Sequence, residues 1–242
     1  MKVYACKNKN DETRLNSSSG GIFTLLAEEI IKEGGNVIGA AWDGLDVKHI
    51  SIDSIEELPR LQGSKYVESQ LDYSAIGDHT LFSGTPCQIT PKAYLKVEVV
   101  CHGTPTKESF KEYCKENGVE WINFRNKENG WLAYLTETNN GKEGFYSNSF
   151  MRDFIHNRNL TPKCFNCQFK DRSNADITLG DFWGVQVLHK EFFDDKGVSV
   201  VIVRTDRGQE YFNKIKDKID YIESTFEKAV MYNPSINKVV KK

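Results

Sequence analysis

Apolar residues recur along the chain in two rhythms, and these divide it into helical and extended segments. Between residues 20 and 33, Ile22, Leu25, Leu26 and Ile30 fall on one helical face, with Phe23, Ala27 and Ile31 beside them. That pattern predicts a helix, ended by Gly34-Gly35. Residues 36–42 read as a buried strand and 49–53 as its neighbour. Residues 54–58 read as a short helical piece, with Ser54 as N-cap and Glu57 at the capping-box position. Residues 66–68, 80–82 and 97–101 are strand-like, the last apolar except for Glu98 and followed by Gly103. An amphipathic helix is expected over residues 107–117, stopped by Gly118.

Beyond Gly118 the rhythm shortens. Residues 120–125, 131–137 and 144–147 read as strands, joined by turns at 126–130 and 139–142. Residues 149–157 return to a helix, 176–179 and 198–204 to strands, and 209–219 to a helix. The segment past Met231 is polar. Early alternation followed by a strand-rich insert predicts an α/β (α+β mixed) fold, a mixed sheet flanked by helices. One domain is expected over residues 1–242, with a strand-rich subdomain at about 119–150.

Composition narrows the class. The chain has 242 residues, with 32 Lys and Arg against 34 Asp and Glu, a formal charge of −2. A dedicated nucleic-acid binder would carry a basic surplus, so no nucleic-acid partner is expected. The longest apolar runs, such as residues 198–203, are strand-sized against the ~20 residues of a membrane helix. No apolar leader precedes them, so no membrane insertion is expected and a reducing cytoplasm is the expected compartment. Six cysteines are too sparse for a disulfide scaffold. In a reducing compartment, clustered cysteines read as metal ligands or catalytic groups.

Four of them sit in defined contexts. Cys87 lies in Gly84-Thr85-Pro86-Cys87-Gln88, and Cys101 opens Cys101-His102-Gly103, each at a strand end. Cys164 and Cys167 form a CxxC whose spacing lets both thiolates face one ion. Four thiolates can hold a 4Fe–4S cluster or a zinc ion, and spacing alone leaves both open beside ordinary buried thiols. A further reading makes Cys87 a nucleophile activated by His102. Cys6 and Cys114 read as structural. His49, His79, His156 and His189 have no ligand-like spacing.

At this level of detail the sequence resembles the coenzyme F420 hydrogenase/dehydrogenase beta-subunit family. The resemblance rests on Ser17-Ser18-Ser19-Gly20-Gly21, Gly63-Ser64-Lys65-Tyr66, Phe82-Ser83-Gly84-Thr85-Pro86-Cys87-Gln88 and Cys101-His102-Gly103. It continues through Asn123-Phe124-Arg125, Gly130-Trp131, the CxxC, the stretch from Asp176 to Gly184 and Asp195-Lys196-Gly197-Val198-Ser199. It implies a flavin-dependent iron–sulfur oxidoreductase that binds FAD and passes electrons between a 4Fe–4S cluster and a second redox partner, such as a deazaflavin coenzyme. The implied cluster ligands are Cys87, Cys101, Cys164 and Cys167. Many bacterial members belong to polysaccharide-biosynthesis settings, so a non-catalytic metal-stabilised accessory subunit is the alternative. Relatives often begin with a ferredoxin-like segment that these residues lack, which implies a ferredoxin-like protein or another redox subunit as partner, beside a redox small molecule.

The implied flavin residues carry physical meaning. Ser17, Ser18, Ser19, Gly20 and Gly21 precede a predicted helix, whose free N–H groups can cradle phosphate. Plain N-capping by Ser18 or Ser19 is the alternative. In the second motif (Gly63, Ser64, Lys65, Tyr66), Lys65 can meet a pyrophosphate and Tyr66 can stack on a ring; a solvated lysine and a core tyrosine are the alternatives. Thr85 stands next to the proposed ligand Cys87. His102 can donate to cluster or flavin, or satisfy a backbone carbonyl, and the latter is preferred. Asp176 and Asp181 can position the cluster loop or contact the flavin but read more readily as turn-formers; Trp183 reads as core or a redox-site wall; Arg125 and Lys127 can serve an anionic partner, though two charges in a turn are usually solvated. Between residues 88 and 96 the chain is short for a parallel crossover. That link is therefore expected to be a loop, or its strands not to be parallel neighbours.

Overall fold

A computed structural model of the protein describes residues 1–170 and 172–241. Among them the strands are β1 (Lys2–Asn8), β2 (Asn36–Asp43), β3 (Asp46–Ile52), β4 (Thr80–Gly84), β5 (Leu95–Val99), β6 (Ile122–Asn126), β7 (Leu135–Thr138), β8 (Gly141–Gly144), β9 (Ile177–Asp181), β10 (Ser199–Val203) and β11 (Ile219–Ser224). The helices are α1 (Asp11–Asn16), α2 (Ile22–Lys32), α3 (Lys107–Asn117), α4 (Ser149–Ile155), α5 (Val185–Leu188), α6 (Asp206–Lys214) and α7 (Phe226–Met231). Single 3-10 turns link several of them.

An eight-stranded sheet runs in the order β11-β1-β10-β9-β5-β4-β2-β3, and β6, β7 and β8 form a separate three-stranded sheet. The fold is therefore the expected α/β type, with a mixed sheet flanked by helices. Strands β9, β5, β4 and β2 are mutually parallel, whereas β10 is antiparallel to both β9 and β1. It follows that β1, β2, β4, β5 and β9 all point the same way. Their carboxyl ends, at Asn8, Asp43, Gly84, Val99 and Asp181, share one edge of the sheet. Open α/β sheets bind ligands at such an edge.

Each face of the sheet buries an apolar layer. On one face Ile22, Leu26 and Ile30 of α2 pack over Val37, Leu81, Val97 and Leu179, joined by Tyr211 and Phe212 of α6. On the other, Trp131, Phe182, Val198, Val200 and Ile202 form a second core. A third cluster, around Phe110, Phe124, Phe150 and Phe154, joins α3, α4 and the three-stranded sheet to Val47 of β3. Each large apolar side chain so buried contributes roughly 1.5–3 kcal/mol.

Several local expectations are corrected. Residues 66–68 form no strand; in this segment only Gln70 makes a bridge, to Lys48. Ser54 caps nothing with its side chain, and the turn after it is 3-10 over Ile55–Arg60. Residues 131–134 are irregular, because Trp131 is drawn into the core and its N–H bonds Asp195. The helix expected over residues 209–219 is α6, which stops at Lys214, and Ile219–Ser224 is edge strand β11. Strands β4 and β5 are parallel neighbours despite their short link. That link makes one 3-10 turn, Pro86–Gln88, and then lays Ile89 and Ala93 over Ile38 and Phe82. Packing of this loop replaces the usual crossover helix. None of the described helices is long and apolar enough to cross a membrane.

Candidate functional site

Leaving the carboxyl end of β1, the chain forms α1 and then residues 17–21. The serines there do not cap α2. Ser17 Oγ donates to Thr13 O, Ser19 Oγ donates to Val198 O at 2.9 Å, and Ser18 Oγ lies 2.7 Å from Ser64 Oγ. Gly21 is the N-cap, with φ at 76° and no side-chain cap bond, so the leading N–H groups of α2 have no side-chain acceptor there. Gly20 serves packing: a Cβ on it would lie 2.5 Å from Cys6 O. The Ser18–Ser64 contact joins the two motif loops.

In the second loop, Gly63 has φ at 77° and borders a cleft. Lys65 Nζ donates to Gln62 O at 2.7 Å and Gly63 O at 3.2 Å, both neutral acceptors. Burial pulls its pKa down to about 8. Tyr66 is a core residue rather than an open platform. Its ring stacks on Phe154 at 4.8 Å, and its hydroxyl accepts from Arg125.

Arg125 and Lys127 overturn the reading of solvated turn charges. The Arg125 side chain is only 3% exposed. Its two terminal nitrogens donate to both oxygens of Asp181, at 2.9 and 3.1 Å. They also donate to Tyr66 Oη at 3.1 Å and Ser18 O at 2.9 Å. The guanidinium lies over Tyr134, 4.1 Å from the ring centroid. Trp131 donates its indole N–H to Asp181 at 2.9 Å and stacks on Trp183 at 4.7 Å. One buried ion pair therefore ties both motif loops to the three-stranded sheet and the end of β9. Lys127 Nζ donates to Arg14 O, Lys196 O and Ser19 O, at 2.6, 2.9 and 3.2 Å. Burial first, and then Arg125, lower its pKa to about 7. Sequence spacing could not reveal this, because tertiary contacts make these turn charges internal. Together these residues line a cleft of about 550 Å³, with Ser17, Ser18, Gly63, Asn123 and Lys142.

Adjacent strand ends build a cysteine corner. Thr85 N–H bonds Gln88 Oε1 in a capping box, and Thr85 Oγ1 lies 3.3 Å from Cys87 Sγ. The segment after Cys101 is laced to the CxxC loop: Thr104 N–H points at Cys164 Sγ at 3.3 Å, and Thr161 N–H bonds Thr104 O at 2.8 Å. Gly103 permits this approach, since a Cβ there would lie 2.6 Å from Leu160. Burial pushes the Cys101 thiol up to about 12; Lys170 opposes that rise, and Cys87 and Cys164 add to it. Cys167 follows the 3-10 turn that carries Cys164. No group of three or more His, Cys, Asp or Glu among the described residues is arranged to hold a metal ion.

His102 has protein partners at both ring nitrogens, Asn157 Oδ1 at 2.7 Å and Ser235 Oγ at 3.4 Å. A backbone contact with Phe154 adds to them. Asp176 and Asp181 part company. Asp176, at the far end of β9, accepts from Lys96 N–H and Thr205 Oγ1 and is structural. Asp181 holds Arg125.

These features define an α/β protein with a cation-lined cleft beside a thiol-rich corner on one sheet edge. The chain belongs to the family described as the C terminus of the coenzyme F420 hydrogenase/dehydrogenase beta subunit, whose model matches residues 77–228. Membership places it in an oxidoreductase context. Among solved structures, a chain of the F420-reducing [NiFe] hydrogenase complex from Methanosarcina barkeri is similar, with 16% identity and a TM-score of 0.68. The match covers 98% of this chain and 89% of that one, and at this identity it is a likeness of fold. No curated protein matches the sequence.

Proposed function

We propose that this chain is a flavin-dependent iron–sulfur oxidoreductase, a redox subunit whose acceptor or donor is a small molecule such as a deazaflavin. The observation that carries the reading is adjacency: cleft and cysteine corner share the carboxyl edge of one sheet. The residue types at the two places support the reading, although the four thiols are not gathered into a ready metal site. Arg125 keeps a buried Nε–H without a protein acceptor, and Lys127 has only carbonyl partners, so the cleft has capacity for an anion. At the corner, the donor set is thiols with N–H and hydroxyl neighbours, which suits thiolate ligation. Cys87, Cys101, Cys164 and Cys167 would hold a 4Fe–4S cluster. Residues 17–21 and 63–66, with Thr85, would hold FAD, and His102 would support the corner between them. When bound, the cluster supplies one-electron transfer and the flavin exchanges one-electron for two-electron chemistry.

The chain's own residues then have distinct tasks. Arg125 and Asp181 fix the loops around the cleft. Lys65 and Lys127 present positive charge to bound phosphate. Trp131 and Trp183 exclude water from the side facing β9. At the corner, the Thr104 N–H orients Cys164, and Lys170 braces the Cys101 and Ser235 carbonyls. Neighbouring subunits fit this reading, since the similar solved chain belongs to a hydrogenase complex. The test is cofactor content after anaerobic preparation. Bound flavin and about four irons per chain are expected for one such cluster. Colourless protein carrying one zinc would replace this reading with that of an accessory subunit.

A further inference from the structure

We infer that residues 232–241 form a removable strap over Cys101, latched by His102 and Asn157. The inference concerns access to the corner and holds whichever cofactor the corner carries. After α7 the chain passes from the end of β9 to the end of α4. Tyr232 packs on Gly184, where a Cβ would lie 2.1 Å from its ring. Asn233 is buried and donates its amide to Asp181 O at 2.9 Å. Ser235 O accepts from Lys170 Nζ at 2.8 Å, and the same ammonium donates to Cys101 O. One lysine therefore pins the strap to the backbone of a corner cysteine.

The latch is the His102 side chain. Its Nδ1 lies 3.4 Å from Ser235 Oγ, and its Nε2 lies 2.7 Å from Asn157 Oδ1. Asn157 Nδ2 donates to Lys241 O at 2.9 Å, which fixes the end of the amide that faces the imidazole. One ring thus holds the strap at Ser235 directly and at Lys241 through Asn157. Asn157 has φ at 63°, a left-handed conformation that asparagine tolerates better than most residues. Closure is weaker elsewhere. Beyond the 3-10 turn Pro234–Ile236 the described part of the strap has no regular structure. Its apolar anchors are Ile236, in the core with Phe182, and Val240, against the cluster around Phe154. Asn237 Oδ1 is buried without a partner among the described residues, which penalises the closed form. A segment held mainly by polar anchors opens locally before the whole fold does. Cys87 is exposed with the strap closed, whereas Cys101 is half-buried, so opening changes access to one thiol and not the other.

The experiment treats the anaerobically prepared full chain with iodoacetamide and follows each cysteine by mass spectrometry. Wild type is compared with Ser235→Ala, Asn157→Gly and the double variant. Asn157→Gly suits the left-handed backbone and removes only the amide. The readout is the Cys101 labelling rate divided by that of Cys87, because metal loss exposes both thiols and strap opening exposes one. Where a bound metal protects all four thiols, the ratio is read while EDTA removes it. Cys6, in the core of the sheet, reports global unfolding. The ratio is expected to rise about 3-fold in Ser235→Ala, which loses one anchor, and about 10-fold in Asn157→Gly, which loses two. The double variant should show the largest rise, with Cys6 unlabelled throughout. An unchanged ratio in all three variants overturns the inference. If Asn157→Gly labels Cys6, it has unfolded, and Ser235→Ala decides alone. Iron and flavin content of the same samples test the proposed function separately, so either reading can fail without the other.

Discussion

At the carboxyl edge of the sheet, the cleft buries cations that already have oxygen partners, whereas the cysteine corner holds an exposed thiol and half-buried ones beside N–H and hydroxyl donors and Lys170. The cleft is charged as built. Arg125, Lys127 and Arg14 are held by Asp181, Asp194 and backbone carbonyls before any ligand enters. Burial pushes the Cys101 thiol up to about 12, so on the proposed reading the corner becomes charged only when a metal displaces protons. One region is therefore pre-organised for an anion. On the proposed reading the other is assembled by its cofactor. Losing a residue should expose this contrast, since the first region should fail by degrees and the second all at once.

The largest effect is expected at the corner. Cys101→Ser should abolish bound iron, measured by metal analysis, while FAD affinity stays near wild type. Retained iron would remove Cys101 from the ligand set. Next comes the cleft wall. Trp131→Ala removes a fully buried indole that stacks on Trp183 and bonds Asp181, and should cost about 3–5 kcal/mol in denaturant unfolding. Exposed Tyr146→Ala should stay within about 0.5 kcal/mol.

Smaller effects separate the cations of the cleft. Unfolded, Lys127 holds its proton to the ordinary 10.5; folded, only to about 7, because burial and then Arg125 oppose the charge. Between those values the unfolded state binds more protons, so stability rises with pH. Unfolding free energies from pH 7 to 10 should show wild type gaining on the order of 2 kcal/mol relative to Lys127→Met. A parallel pair of curves would place the ammonium in solvent. The smallest effect concerns Asp194. Burial raises its pKa, but Arg14 and then Lys7 outweigh this and hold it at about 2, below the usual 3.8. Its stabilising contribution is complete above about 3.8 and is lost as pH falls toward 2. Asp194→Asn should flatten acid unfolding in that window by less than about 1 kcal/mol, because the carboxylate is partly solvated.

Much of this architecture was legible in apolar spacing. Helix α2 follows the stripe at Ile22, Leu25, Leu26 and Ile30, and α3 ends where Gly118 takes φ at 59°. The motifs placed Cys87 and Cys101 after strand ends, but sequence could not show that β4 and β5 are parallel neighbours, since the link looks too short. Strand β11 was hidden because Ile215 and Ile219 continue the helical rhythm of α6. The burial of Arg125, Lys127 and Trp131 escaped for a different reason. Their roles come from partners far along the chain, such as Asp181, Lys196 and Asp195, and no local pattern encodes a buried charge in a polar turn.

The central claim is that cleft and corner serve one redox function. It is tested most directly by giving anaerobically loaded protein a one-electron donor and following flavin bleaching in wild type and Cys101→Ser. Wild type should bleach, and Cys101→Ser, with FAD still bound, should not. Equal bleaching of the two proteins would contradict the account.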